Sequence, residues 1–134
     1  MSIEFNHTIV HAKNARESAK FLTDILGLPA ASFFGPFMVV KTANNVSLDF
    51  RTTSSEVIAQ HFAFLVSETE FDEILQRITQ RQLDFWADPA QKKLNQINHG
   101  DGGRGCYFLD PNGHFLEILT RPYDSAIKSA DLKV

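Results

Sequence analysis

Two histidines and two carboxylates stand out for the chemistry they allow. His7 lies in an alternating stretch where Ile3, Phe5, His7, Ile9 and His11 share one face and Glu4, Asn6, Thr8 and Val10 the other. Asp49 alternates with Val46, Leu48 and Phe50, on the face shared by Ser47 and Arg51. Further on, His61 opposes Phe62, Phe64 and Val66, and Glu117 opposes Leu116 and Ile118. In the last three of these stretches, period two puts the polar residue on the face away from the large apolar set. The apolar sets would pack on helices, which directs His7, Asp49, His61 and Glu117 to inner faces. Two imidazoles with one or two carboxylates suit a divalent metal: Fe, Mn, Ni, Co or Zn. With one carboxylate, coordination positions stay open, as at non-haem iron and manganese sites. With two, the site is fuller and completed by water. The metal-free alternative makes His7 a satisfied core histidine, Asp49 a solvated strand-end acid, and Glu117 the partner of Arg51 or Arg104. A buried ionised carboxylate needs a cation in either case.

The elements that must position these residues follow from periodicity and caps. A strand is expected over 3–11. Asn14 precedes Glu17 at capping-box spacing, apolar residues recur at helical spacing, and Gly27 stands at a C-cap position, so a helix is expected over 15–26. Strands over 30–34, 37–42 and 46–51 follow, separated by Gly35-Pro36 and Ala43-Asn44-Asn45. After a polar linker at 52–57 the pattern restarts with a strand over 61–67. Ser67 with Glu70, or Thr69 with Asp72, offers a second capping box, and Phe71, Ile74, Leu75 and Ile78 form a helical stripe. Short strands are expected at 83–87, 105–109 and 114–120. The turn Asp110-Pro111-Asn112-Gly113 separates the last two, and 89–104 carries no periodicity.

Both halves thus read strand–helix–strand–strand–strand, a repeat worth seeking before any motif. Phe5-Asn6-His7 aligns with Ala59-Gln60-His61, and Asn45 to Phe50 aligns with Gly113 to Ile118. The identity is thin, yet a histidine in each first strand matches together with a carboxylate in each last one.

The 134 residues make one domain, with 13 Lys plus Arg against 16 Asp plus Glu, a formal charge of −3. No basic face is implied, so nucleic acid is not an expected partner. The single cysteine, Cys106, forms no internal disulfide and points to a reducing compartment, the cytoplasm. No apolar run approaches the ~20 residues of a membrane helix, and Met1-Ser2-Ile3-Glu4 has neither a basic patch nor a signal core. Phenylalanine occurs 12 times. Core packing accounts for that number, while Phe33, Phe34, Phe37 and Trp86 are candidates for a pocket wall.

His11 lies roughly 13 Å along the strand from His7, too far for the same ion. His114 falls opposite Glu117 and reads as structural or exposed. His99 and Arg104 flank Gly100-Asp101-Gly102-Gly103, a loop that is either solvated or a lid over a substrate. Those glycines precede a strand, not a helix, so they make no phosphate loop. No histidine stands at a telling spacing from Cys106, so a nucleophilic thiol is not expected.

Phe5-Asn6-His7-Thr8, the helix end Leu26-Gly27-Leu28, and Tyr107 to Glu117 with its Asp-Pro-x-Gly turn together resemble the vicinal oxygen chelate superfamily. That family holds glyoxalase I, fosfomycin-resistance transferases, bleomycin-resistance proteins and extradiol dioxygenases. The resemblance covers about residues 3–121. It implies an α+β fold of two βαβββ modules, about 3–52 and 59–121, forming a half-open barrel around a cleft, with a tail over 122–134. It also implies metal ligands at His7, His61 and Glu117. Asp49 occupies a fourth ligand position that is glutamate in glyoxalase I, and one methylene fewer shortens its reach.

Three functions compete on that basis. The first is a small, dimeric, metal-dependent enzyme binding two neighbouring oxygens of a small-molecule substrate. Lyase or isomerase chemistry is favoured and ring-cleaving dioxygenation is the variant, with Asp49 or Glu117 in a catalytic role and Phe37, Trp86, His99 and Arg104 around the substrate. Thiol transfer to a phosphonate fits less well, because few basic residues face inward. The second is a metal-free binding protein of the bleomycin-resistance kind. The third is a silent structural member, which the retained inward His and carboxylate set argues against.

Overall fold

The computed structural model describes residues 2–123. The fold is α+β, with two four-stranded sheets of like topology in two compact units. The first unit is the chain up to Gln60 together with Asp110–His114; the second is His61–Leu109 with the chain from Phe115 onward. Of the tail expected over 122–134, only Pro122 and Tyr123 fall within the described residues. Among the described residues, no helix is long and apolar enough to cross a membrane.

The first unit runs β1 (His7–Ala12), α1 (Ala15–Leu26), β2 (Ser32–Phe34), β3 (Phe37–Lys41) and β4 (Ser47–Thr52). Its sheet order is β1-β4-β3-β2, with β1 parallel to β4 and the rest antiparallel. Helix α1 begins where Asn14 accepts a bond from the Glu17 amide and ends where Gly27 takes φ 73°. That left-handed conformation favours glycine and closes the helix through an amide bond back to Thr23. The buried side of α1 (Ala15, Ala19, Leu22, Ile25) shares a core with Val10, Ala12, Val40, Leu48 and Phe50. The strand expected from residue 3 starts at His7. Its partner β4 begins at Ser47, opposite His7, and before that only the Asn6 carbonyl is engaged, by the Ser47 amide.

The turn at 110–114 belongs to this unit. The Asn112 amide donates to Ser18 Oγ at 2.8 Å and its oxygen accepts from the Lys13 amide at 2.8 Å. His114 is buried, accepting from the Gln60 amide through Nδ1 at 2.9 Å, with Nε2 2.8 Å from the His11 carbonyl. An amide N–H can only donate and a carbonyl only accept, so the neutral Nε2–H tautomer satisfies both. Of the two roles open to His114, the structural one holds.

The second unit runs β5 (His61–Leu65), α2 (Glu68–Gln80), β6 (Phe85–Trp86), β7 (Gly105–Leu109) and β8 (Phe115–Leu119). Its order is β5-β8-β7-β6, again with the first pair parallel. Ser67 and Glu70 close a reciprocal capping box, so the Ser67 choice of the two holds. Phe71, Ile74 and Ile78 of α2 are buried together with Cys106, Phe108, Leu116 and Ile118.

The expected strand at 83–87 shrinks to two residues. The Leu83 amide is spent closing α2 on the Ile78 carbonyl, and Gln82 takes φ 57°. The aperiodic stretch after it is ordered by local bonds. Asp88 accepts from the Lys92 and Lys93 amides, the Asn98 side chain donates to the Ala87 carbonyl, and Asn98 and Gly105 exchange backbone bonds.

Arg104 ties α2 to this unit. Its guanidinium bonds Glu68 at 2.7 Å and Asp72 at 2.8 Å and lies 4.5 Å over the Phe71 ring. Bonding from Thr120 and then Arg104 holds the exposed Glu68 carboxyl below the usual carboxylate range. A depressed folded-state pKa adds stability above the unfolded value, and that stability is lost as pH falls through the depressed one. The native chain should therefore exceed Glu68→Gln in urea midpoint near neutrality, with the gap closing at a pH acid enough to protonate the lowered carboxyl. A gap of the same size at both pH values would refute the assignment.

Candidate metal centre

In the second unit, register brings a histidine onto a carboxylate. His61 stands opposite Phe115 and Ala63 opposite Glu117 on the parallel pair, so His61 and Glu117 are diagonal neighbours on one face. His61 Nε2 lies 3.1 Å from Glu117 Oε1, and His61 Nδ1 lies 3.1 Å from the Phe115 carbonyl. The carbonyl only accepts, so Nδ1 carries its proton. A neutral His61 then turns an Nε2 lone pair towards a carboxylate oxygen. Two lone pairs at that distance require a cation, either a proton or a metal ion. A backbone-anchored imidazole beside a carboxylate supplies two donors of the kind a divalent ion takes.

Glu117 is 1% exposed. Burial pushes its carboxyl above the usual range, and the neighbouring His61 opposes that shift. Its second oxygen, Oε2, accepts from the Tyr123 hydroxyl, which lies 2.8 Å from the Tyr107 hydroxyl. Tyr107 faces Glu117 across the β7–β8 pair, and Trp86 faces Tyr107 across β6–β7, so all three share a face. Burial, followed by the charge of Glu117, pushes the Tyr107 phenol up to about 12. The same two causes push the buried Cys106 thiol up to about 12, which keeps it protonated and unreactive.

In the first unit, His7 and Asp49 share the open face of the sheet, where Ile9 stands opposite Asp49. They line a depression of about 470 Å³ whose apolar part is Ile9, Val39, Phe33, Phe34 and Phe37. Phe33 and Phe34 are 65% and 72% exposed, against the expectation of burial for such residues. His7 Nδ1 lies 2.8 Å from Asn6 Oδ1; an amide oxygen only accepts, so Nδ1 donates and Nε2 keeps its lone pair. Asp49 accepts from the Ser47 hydroxyl at 2.9 Å. Lys41 also lines the depression, so this face holds a cation as well as Asp49.

His61 is brought to Glu117, and His7 lines one depression with Asp49. Among the described residues, no three His, Cys, Asp or Glu side chains gather into one group. Trp86 is half-buried on the Tyr107 face, and Phe37 is half-buried with the Arg51 guanidinium 5.7 Å over its ring. His99 is exposed at the start of the short turn at Gly100–Gly102. Arg104 is committed to Glu68 and Asp72, which corrects its reading as a partner of Glu117. Asn6, Tyr107 and Tyr123 were given no role from sequence. Alternation alone would have placed Tyr107 on an inner face, whereas nothing in the sequence marks Tyr123.

Comparison with known proteins agrees with this architecture. A solved structure of oxidase ChaP-H1 is 60% identical, covers 91% of this chain and 98% of that one, and superposes with a TM-score of 0.90. Oxidase ChaP-H2 is 54% identical over 93% of this chain and 98% of that one, with a TM-score of 0.91. Glutathione transferase FosA of Serratia marcescens is 28% identical over 119 residues, 84% of this chain and 77% of that protein. The family model for the Glyoxalase/Bleomycin resistance protein/Dioxygenase superfamily matches residues 4–118, the span that holds both repeats with His7, Asp49, His61 and Glu117. With the repeated βαβββ topology and that match over most of its length, the chain belongs to the glyoxalase/bleomycin resistance protein/dioxygenase superfamily.

Proposed function

We propose that this protein is a metal-dependent oxidase acting on a small, largely apolar molecule. The observation that carries the metal is the His61 Nε2–Glu117 Oε1 approach, where a backbone-fixed imidazole lone pair meets a buried carboxylate. His61 and Glu117 supply two ligands, and the superfamily resemblance offers His7 as a further candidate. Members of the superfamily typically use divalent metals. Oxidase chemistry takes precedence over lyase or isomerase chemistry because the relatives at 60% and 54% identity are named oxidases. Iron and manganese are accordingly the preferred ions.

A bound divalent ion supplies Lewis acidity to neighbouring substrate oxygens and, where redox-active, electron exchange. The chain's own residues supply the rest. The Phe115 carbonyl orients His61, and Asn6 orients His7 in the same way. Phe33, Phe34 and Phe37 offer an apolar floor that suits a flat ring system. Asp49, held by Ser47, is placed to accept a proton from a substrate on that floor.

The test is elemental analysis of the purified protein after loading with Fe(II), Mn(II), Co(II), Ni(II) or Zn(II), alongside His61→Ala. Stoichiometric metal is expected in the native chain, with at least about a tenfold loss in the folded variant. Dioxygen uptake by the iron- or manganese-loaded protein with a panel of phenolic compounds then separates oxidase from lyase. Absence of any ion under every loading condition would overturn the proposal in favour of a metal-free binding protein. The aromatic floor is the observation that favours that second reading.

A further inference from the structure

We infer that Tyr123, beyond the segment matched by the family model, is a positioning residue that holds Glu117 for metal binding. This rests on the metal-dependent reading above. Glu117 stands on β8, the strand between β5 and β7, and its two oxygens have different partners. Oε1 faces His61 Nε2, and Oε2 accepts from the Tyr123 hydroxyl. The terminal torsion of a glutamate is soft, so the contact of one oxygen with His61 leaves the carboxylate less firmly fixed than two held oxygens do. With Oε2 held, Oε1 is the oxygen left beside the imidazole.

The protons run in one direction. An ionised carboxylate only accepts, so the single proton of Tyr123 is spent on Glu117. The Tyr107 hydroxyl lies 2.8 Å from the Tyr123 hydroxyl and also bonds Glu117, so both phenols converge on this carboxylate. The two hydroxyls thus form a short hydroxyl chain beside Glu117, with Tyr123 on Oε2. Tyr123 lies past the end of β8 and is 52% exposed, so burial of its ring does not explain its place. What it does engage is the two hydroxyl contacts, one of them on a nearly inaccessible carboxylate.

Tyr123→Phe keeps the ring and removes only the donor. The experiment titrates Co(II) into the native chain, Tyr123→Phe and Tyr107→Phe, reading both affinity and the visible absorption of the bound ion. Thermal unfolding of the metal-free proteins is recorded alongside. The expected result for Tyr123→Phe is a Kd about 10- to 100-fold higher with an altered Co(II) spectrum, while metal-free unfolding stays close to native. Tyr107→Phe, which leaves the Tyr123 donor on Oε2 in place, should lose less. Native affinity together with a native spectrum in Tyr123→Phe would overturn the inference and leave the metal centre standing. If the native chain binds no Co(II), the metal reading falls and this inference with it. Should Tyr123→Phe fail to fold, Tyr107→Phe decides: a several-fold loss supports the hydroxyl chain, and unchanged affinity and spectrum overturn it.

Discussion

Glu117→Gln is expected to lower metal affinity by at least about 100-fold while leaving the metal-free protein as stable as the native chain, or more so. The two halves of this expectation share one cause. Glu117 is 1% exposed, and burial raises its pKa, so its charge is held at a cost. Glutamine has the same shape without the charge. Its oxygen can accept from Tyr123, and its amide can donate to the His61 Nε2 lone pair, so no cation is needed between them. The variant satisfies every partner without an ion, which is why the fold should not suffer. The measurement is thermal unfolding with and without metal. At a free metal concentration 100 times the native Kd, the native chain should gain about 2.7 kcal/mol and the variant almost none. A variant that binds the ion as tightly as the native chain would remove Glu117 from the ligand set. A variant that unfolds without metal would assign Glu117 a structural role.

Phe71→Ala should cost about 3–5 kcal/mol, the range for deleting a buried ring from a core that cannot fully collapse. Phe71 is 0% exposed and sits in the first turns of α2, in the row of buried residues continued by Ile74 and Ile78. The Arg104 guanidinium lies 4.5 Å over the ring while bonding Glu68 and Asp72 on either side of it in sequence. Removing the ring therefore opens a cavity and takes the platform from beneath the clamp. A domain of this size is stable by only about 5–15 kcal/mol, so the loss is a large share of the total. Urea unfolding read by circular dichroism gives the value, and Phe71→Leu should cost markedly less because most of the volume remains. A loss below about 1 kcal/mol for the alanine variant would mean that α2 is not docked through this residue.

Much of the fold was legible because its signals are local. The helix expected over 15–26 is α1, since Asn14 and Gly27 fix its two ends by bonds within a few residues. The strand expected over 105–109 is β7. Ser67 and Glu70 mark the start of α2 for the same local reason. Expectations failed where the outcome depends on a distant partner. Residues 3–6 alternate like a strand, but β4 pairs only from Ser47 onward, opposite His7. Leu83 reads as strand, yet its amide closes the preceding helix. Arg104 reads as free to reach a substrate, yet Glu68 and Asp72 bind it.

The site divides along the same line. Alternation by itself determined that His7 shares a face with Asp49's opposite neighbour Ile9, and that His61 and Glu117 stand on faces opposite the apolar sets. A strand's period is a property of the chain alone. Which donors meet was decided by tertiary structure. His61 reaches Glu117 because β5 and β8, more than fifty residues apart, pair in parallel with His61 opposite Phe115. Tyr123 reaches the other oxygen of Glu117 from beyond the last strand, where no periodicity governs the side chain. The alternation within one strand contributes to register, but which distant strand it meets depends on the packing of the whole unit.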